Sequence, residues 1–204
     1  MEKIRRTEIN PCVFSKENII NRGTQSVCYR EGDNVYKVMS GFDQQNVAIE
    51  AAEALINSRD ILSSWLGEYV TPSKIEALGG VNGYMVVTEQ PFIDGMSLKK
   101  AIEVAQKDNL SIDRIIDLFE KSLEMYRGIN QVPDIFGRPH FSGWYQVLTT
   151  PNVRVELIDG VLIPRLLDVG FARLSQNKIT KSLHNSLLAK NIGVLLEKTR
   201  IRST

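Results

Sequence analysis

Arg165-Leu166-Leu167-Asp168-Val169-Gly170-Phe171-Ala172 closes a β-hairpin whose first strand is entered through Thr150-Pro151-Asn152-Val153-Arg154-Val155. Between them lies Asp159-Gly160, a dipeptide that tolerates the positive φ angles of a two-residue hairpin turn. An Asn opening one strand and an Asp-x-Gly closing the next stand side by side at one end of such a hairpin. A carboxamide oxygen beside a carboxylate supplies two ligands for a hard cation. Mg²⁺ held between nucleotide phosphates takes one or two protein oxygens and completes its octahedron with phosphate and water. Taken singly, Asn152 starts a turn and Asp168 caps one; their joint placement around Asp159-Gly160 favours the cation.

The bulk numbers admit such a site and exclude other classes. The chain has 204 residues, 43% hydrophobic and 24% charged, enough for one sizeable core or two small lobes sharing a cleft. With 25 basic and 24 acidic residues interspersed, a net charge of +1 gives no footprint for nucleic acid or for an anionic membrane. The charged start Met1-Glu2-Lys3-Ile4-Arg5-Arg6 leads into no apolar leader segment, and no window approaches the length of a membrane span, so a cytoplasmic location is expected. Cys12 and Cys28 have no metal-ligand or redox spacing and read as small hydrophobes.

From the end hairpin the chain resembles the protein-kinase-like superfamily, whose kinase members read D-x-x-x-x-N, strand, turn, strand, D-F-G. Val169 stands where Phe is usual. The resemblance runs from Glu17 to Ala172 and implies an α+β, bilobal fold: a small antiparallel-sheet N-lobe of about residues 13–88, a hinge at about 89–96, and a truncated, mostly helical C-lobe over 97–204.

In chain order, Glu17–Ile20, Ser26–Arg30 and Val35–Met39 read as three strands of a meander. Set on the kinase glycine-rich loop, Asn21 takes the first Gly position, Gly23 the second and Ser26 the third, and Cys28 takes the apolar position over the adenine. Backbone N–H groups approach phosphates where no Cβ intrudes, so Gly23 and Ser26 are the implied phosphate-facing residues. Lys37, between Tyr36 and Val38, matches the strand lysine that reaches the α- and β-phosphates; the plain alternative is an edge-strand lysine facing water. The run from Asn46 to Leu66 has helix formers at helical spacing and resembles the kinase C helix, whose Glu pairs with that lysine. Glu53 is the preferred partner, because Ala54-Leu55-Ile56 follows it, and Glu50 is the other candidate.

Ser73–Leu78 and Tyr84–Thr88 complete a five-stranded sheet, and Glu89-Gln90-Pro91-Phe92-Ile93-Asp94-Gly95-Met96-Ser97-Leu98 then matches the hinge. Glu89 holds the acidic position, and the backbone from Thr88 to Pro91 is expected to face the adenine, with Pro91 lacking a donor. Ser97 and Ser111 are placed as N-caps, the second before a helix with Ile112, Ile115, Ile116, Leu118, Phe119, Leu123 and Tyr126 on its buried face.

The catalytic-loop Asp is where this chain departs from the pattern. The position expected from Asn152 is Val147, which cannot accept a proton, whereas Asp134 follows the central helix at the expected place but stands 18 positions before Asn152. A loop insertion reconciles the two, because closure entropy grows only logarithmically with length. Asp134 is therefore the expected catalytic carboxylate. Beyond Gly170 no A-P-E segment is present, so the peptide-docking part of a protein kinase is missing and the chain is nearer to small bacterial kinase-like proteins and the aminoglycoside phosphotransferases. The resemblance implies transfer of the ATP γ-phosphoryl group to a hydroxyl on a small molecule or protein. In it Asp134 and Asp168 are catalytic, Lys37, Glu53, Glu89, Gly23 and Ser26 serve the nucleotide, and Asn152 and Asp168 hold Mg²⁺. The competing readings are a pseudokinase that binds nucleotide or acts as a scaffold, and a degenerate fold that binds a partner without nucleotide.

Overall fold

Alternation of apolar and polar residues drives the first part of the chain into an antiparallel sheet. The computed structural model describes residues 14–22, 26–80, 83–135, 152–170, 189–190, 192–194 and 197. Strands β1 (Ile19–Arg22), β2 (Val27–Glu31), β3 (Asn34–Phe42), β4 (Lys74–Gly80) and β5 (Gly83–Pro91) form one sheet in the order β1-β2-β3-β5-β4. The five-stranded sheet is as expected. Its strands differ at their ends: Glu17 lies in a one-turn 3₁₀ helix, and β4 and β5 stay paired as far as Gly80 and Gly83.

Register decides which side chains share a face. Cys28, Lys37 and Thr88 stand opposite one another across β2, β3 and β5, and so do Tyr29, Tyr36 and Glu89 on the alternate face. That second face buries Tyr36, Val38, Leu78 and Val87, with Phe14, Tyr29 and Met85 packed on them. The Phe14 ring meets Tyr29 and Tyr36 edge to face, with centroids 5.3 and 6.5 Å away.

Helix α1 spans Gln45–Leu66, one residue longer at its start than the sequence implies, with Ala48 and Ala52 buried in its first half. The chain divides into two compact units, and the division passes through this helix: Met1–Asn57 with Pro72–Phe92 form one, Ser58–Thr71 with Ile93–Thr204 the other.

The second unit is built on helices α2 (Leu98–Asp108) and α3 (Asp113–Ile129) and on a three-stranded sheet of β6 (Met96–Ser97), β7 (Val153–Ile158) and β8 (Val161–Leu166), in that order. Ser97 caps α2 by accepting from Lys100 N at 3.3 Å, whereas the N-cap position of α3 is Ile112 and not Ser111, which stands one residue earlier and accepts from Asp113 N at 3.1 Å. Both helices end on an Asn in the left-handed conformation, Asn109 and Asn130, each with φ 52°. The core joins Ile115, Leu118, Phe119 and Met125 of α3 to Leu98, Ala101 and Ile102 of α2, to Val153, Val155, Leu162 and Leu166 of the hairpin, and to Leu62, Leu66, Tyr69 and Val70. Gly95 permits this packing. A Cβ there would come within 3.0 Å of the Val155 carbonyl oxygen and of Arg154 Cβ.

Candidate functional site

The hairpin β7–β8 has the geometry that Asp159-Gly160 predicts, with positive φ at both turn residues, 50° and 80°. Val153 pairs with Leu166 at the open end, and Leu167 N donates to Asn152 O at 2.8 Å. Asn152 therefore enters β7 directly beside the exit of β8 into Asp168. The carboxamide of Asn152 donates through Nδ2 to the backbone oxygen of Asp134 at 2.8 Å, which leaves its Oδ1 as the acceptor end. Asp168 accepts from Gly170 N through Oδ1 at 3.1 Å, and Asp134 N donates to Gly170 O at 3.3 Å.

Asp134, Asn152 and the Asp168–Gly170 turn are thus drawn together by main-chain and side-chain bonds within the second unit. All three residues are half-buried. The competing position Val147, the insertion around it and His140 lie outside the described residues. Among the described residues no group of three or more His, Cys, Asp or Glu is placed to hold a metal. Asn152 and Asp168 supply two hard oxygens, the complement Mg²⁺ takes from protein when phosphates and water provide the rest.

The first unit carries the other predicted residues. Lys37 lies on β3, the middle strand, half-buried between Cys28 and Thr88, so the edge-strand alternative does not apply to it. Ser26 is half-buried just before β2, in the connection closed by the Arg22–Val27 pair, and Gly23 of that connection lies outside the described residues. Glu53 and Glu50 are both exposed on α1. The apolar anchor that favoured Glu53 is partial, since Ala54 is exposed and Leu55 and Ile56 are half-buried.

The end of the strand before Glu89 requires a correction. The strand does not end at Thr88 but runs to Pro91, and Glu89 is flanked on one side by Tyr36 and on the other by Lys74. Pro91 closes the strand without disturbing it, because the end of a strand can spare one donor. The Glu89 carboxylate faces away from Lys37, accepting from Asn34 Nδ2 at 3.3 Å and from Tyr36 OH at 3.4 Å. Burial, and then the Glu89 charge, push the Tyr36 phenol above its ordinary pKa. The acidic hinge residue is therefore a partner of Tyr36 on the far face of the sheet.

Two residues carry weight that the sequence reading did not give them. Gln90 is buried on the same sheet face as Lys37; continuing the alternation two residues beyond Thr88 would have placed it there. Tyr69 is fully buried and donates to Asp117 Oδ2 at 2.6 Å, while Lys121 binds the same oxygen at 2.9 Å. Burial and this hydrogen bond push the Tyr69 phenol up to about 12. Burial opposes ionisation of Asp117, but the bonds from Lys121 and Tyr69 outweigh it and hold the carboxyl below its usual range. No local pattern announces this pairing, because the partners come from the 3₁₀ turn after α1 and the side of α3.

No protein-family model matches the chain, and no curated protein matches it. Among solved structures it is similar to the Legionella pneumophila Lpg2603 kinase bound to IP6, with a TM-score of 0.56 and 14% sequence identity over 90% of this chain. The matched region covers 60% of that kinase chain. This likeness is one of fold: the chain has a kinase-like fold of the α+β class, with an antiparallel sheet in its N-terminal unit and helices beyond. No helix among the described residues is long and apolar enough to cross a membrane.

Proposed function

We propose that the chain is an ATP-dependent phosphotransferase that moves a γ-phosphoryl group to a hydroxyl acceptor. The observation that carries this reading is the bonding of the Asp134 main chain, through its O to Asn152 and through its N to Gly170, which brings the acceptor-side residue beside the cation-side pair despite the long intervening segment. A kinase-like fold without that constellation would argue only for a scaffold.

In this reading Asn152 Oδ1 and the Asp168 carboxylate hold Mg²⁺, which supplies charge neutralisation between the phosphates when bound. Lys37 places a point charge against the α- and β-phosphates. An exposed ion pair from Glu53 would add at most about 1 kcal/mol, so Lys37 is positioned chiefly by its place in the middle of the sheet. Ser26 and Gly23 present backbone N–H groups to phosphate. Asp134 accepts the proton of the acceptor hydroxyl as the oxygen attacks phosphorus, and the leaving nucleotide diphosphate takes the electron pair of the broken bond.

Two measurements test this. A thermal shift with Mg·ATP separates nucleotide binders from non-binders, since ligand at a hundred times its Kd adds about 2.7 kcal/mol. Asp134→Ala is then expected to lower phosphoryl transfer, read as autophosphorylation or γ-phosphate release, by a factor on the order of 10² or more with nucleotide affinity nearly unchanged. Binding without transfer in the parent chain would replace the enzyme with a nucleotide-binding pseudokinase.

A further inference from the structure

Arg165 of β8 is tied to two elements at once. Its Nε donates to Glu156 Oε2 on β7 at 2.9 Å, and its Nη1 donates to the carbonyl oxygen of Glu68 at 2.6 Å. Side-chain exposures of 22% and 25% set the Arg165–Glu156 pair apart from the open Arg114–Glu68 pair, at 50% and 53%. The hairpin alone does not account for an arginine here, because position 165 stands opposite Arg154 and like charges directly across a strand pair are destabilising. What the guanidinium adds is a link to the 3₁₀ turn Gly67–Tyr69, where the Glu68 carboxylate is in turn held by Arg114 of α3. Main-chain bonding cannot supply that link. Val70 bridges Leu166 in parallel and Thr71 N donates to Leu166 O at 3.1 Å, but two residues earlier on β8 Pro164 has no N–H with which to continue the ladder. A planar guanidinium with five donors can serve a carboxylate and a carbonyl together, which an ammonium point charge does less well.

We propose that Arg165 is a positioning residue for the cation site: by clamping the end of β8 to the turn after α1, it sets where Asp168 stands beside Asn152. This rests on the reading of Asn152 and Asp168 as the pair that holds Mg²⁺. Asp168 lies three residues beyond Arg165, about 10 Å of chain at the rise of a strand. Between them Leu166 is bound to Thr71, and Leu167 N donates to Asn152 O at 2.8 Å, so a shift of β8 along the turn passes to both oxygen ligands. Mg²⁺ tolerates little of it, because it demands near-octahedral oxygens at about 2.0 to 2.1 Å. Arg165 acts through the strand and not as a ligand.

The test is a Mg²⁺ titration at saturating ATP on the full-length chain, read as the metal concentration that gives half of the nucleotide-dependent thermal shift. In Arg165→Met, which keeps an unbranched stem and loses every donor, that concentration is expected to rise about tenfold, the low end of what loss of a supporting partner costs a metal site. Arg165→Lys, whose ammonium reaches one acceptor at a time, is expected to show an intermediate rise. Glu156→Gln removes the ion pair and leaves the bond to Glu68, so its metal requirement should match that of the parent. A merely structural salt bridge would move Arg165→Met and Glu156→Gln alike, and that result overturns the proposal. So does an unchanged metal requirement in Arg165→Met, or in Arg165→Lys should the Met variant not fold. In either case a parent whose shift requires Mg²⁺, and loses that requirement in Asp168→Asn, leaves the cation pair standing. A parent with no Mg²⁺-dependent shift overturns both readings.

Discussion

Asn152 donates its carboxamide nitrogen to the carbonyl oxygen of Asp134 at 2.8 Å, and this one bond joins residues 18 positions apart in the sequence. It also fixes which end of the amide faces outward. With Nδ2 committed to Asp134, Oδ1 remains as the acceptor end, so in the proposed reading a single contact would both tie Asp134 in place and orient the oxygen that holds the cation.

Asn152→Asp separates those two roles. The substituted carboxylate keeps an oxygen for the cation but turns a second oxygen toward the Asp134 carbonyl in place of a donor. Urea denaturation is expected to show a loss of about 1 to 3 kcal/mol, the scale for leaving a partly buried acceptor unmatched. An unchanged midpoint would mean that the bond does not hold the loop.

Asp168→Asn tests the cation directly. The amide oxygen can still accept from Gly170 N, as Oδ1 does at 3.1 Å, so the turn and the fold should persist. The negative charge is lost, and with it the Mg²⁺-dependent part of ATP stabilisation. A thermal shift with Mg·ATP equal to that of the parent would show that Asp168 is a turn cap only.

Gly95→Ala probes the passage from β5 into α2. Its methyl group would meet the Val155 carbonyl oxygen and Arg154 Cβ at 3.0 Å, both belonging to β7 rather than to a flexible side-chain tip. The strand pair Met96–Val155 must give way by a few tenths of an ångström. A loss of about 1 to 3 kcal/mol is expected, and hydrogen exchange should quicken first at β6 and β7.

Tyr69 gives a pH signature. Its folded-state pKa of about 12 lies above the ordinary value of 10.0, so the neutral phenol stabilises the fold fully below pH 10, and that contribution is lost as pH rises toward 12. A shift of this size is worth on the order of a few kcal/mol. In Tyr69→Phe the decline of stability between pH 10 and pH 12 should be correspondingly shallower. Asp117 acts in the opposite range: its depressed pKa gives stability above the usual carboxylate pKa that is lost as pH falls below it.

Much of this architecture is legible in the chain because local physics and tertiary packing agree. α1 is found almost to the residue from its helix formers, the Asp159-Gly160 turn forces its hairpin, and Ser97 caps α2 as its position implies. Pairings between distant segments are not legible in the same way. The two residues of β6 form a strand only because β7 accepts them, and Glu89 turns to Tyr36 because β5 continues into the stretch matched to the hinge. Met125 is completely buried although the apolar spacing of α3 did not select it, since its neighbours in the core come from other elements. The Asp134–Asn152 contact was legible as a question of spacing, and its answer required the backbone carbonyl that no sequence displays.

Leu166 gives this chain an unusual order of assembly. Its carbonyl accepts from Thr71 N at 3.1 Å, and the residue bridges Val70 while it pairs with Val153. The segment Val70–Thr71 that follows α1 therefore finds its backbone partner only after nearly a hundred further residues have left the ribosome. Until then Leu62, Leu66 and Tyr69 have an incomplete core to enter. Contacts of such long range slow folding, because their loop entropy is lost before their reward arrives. A fragment that starts at Ile93 would emerge without Ser58–Thr71, and so without the part of its compact unit that supplies Leu62, Leu66 and Tyr69 to the core.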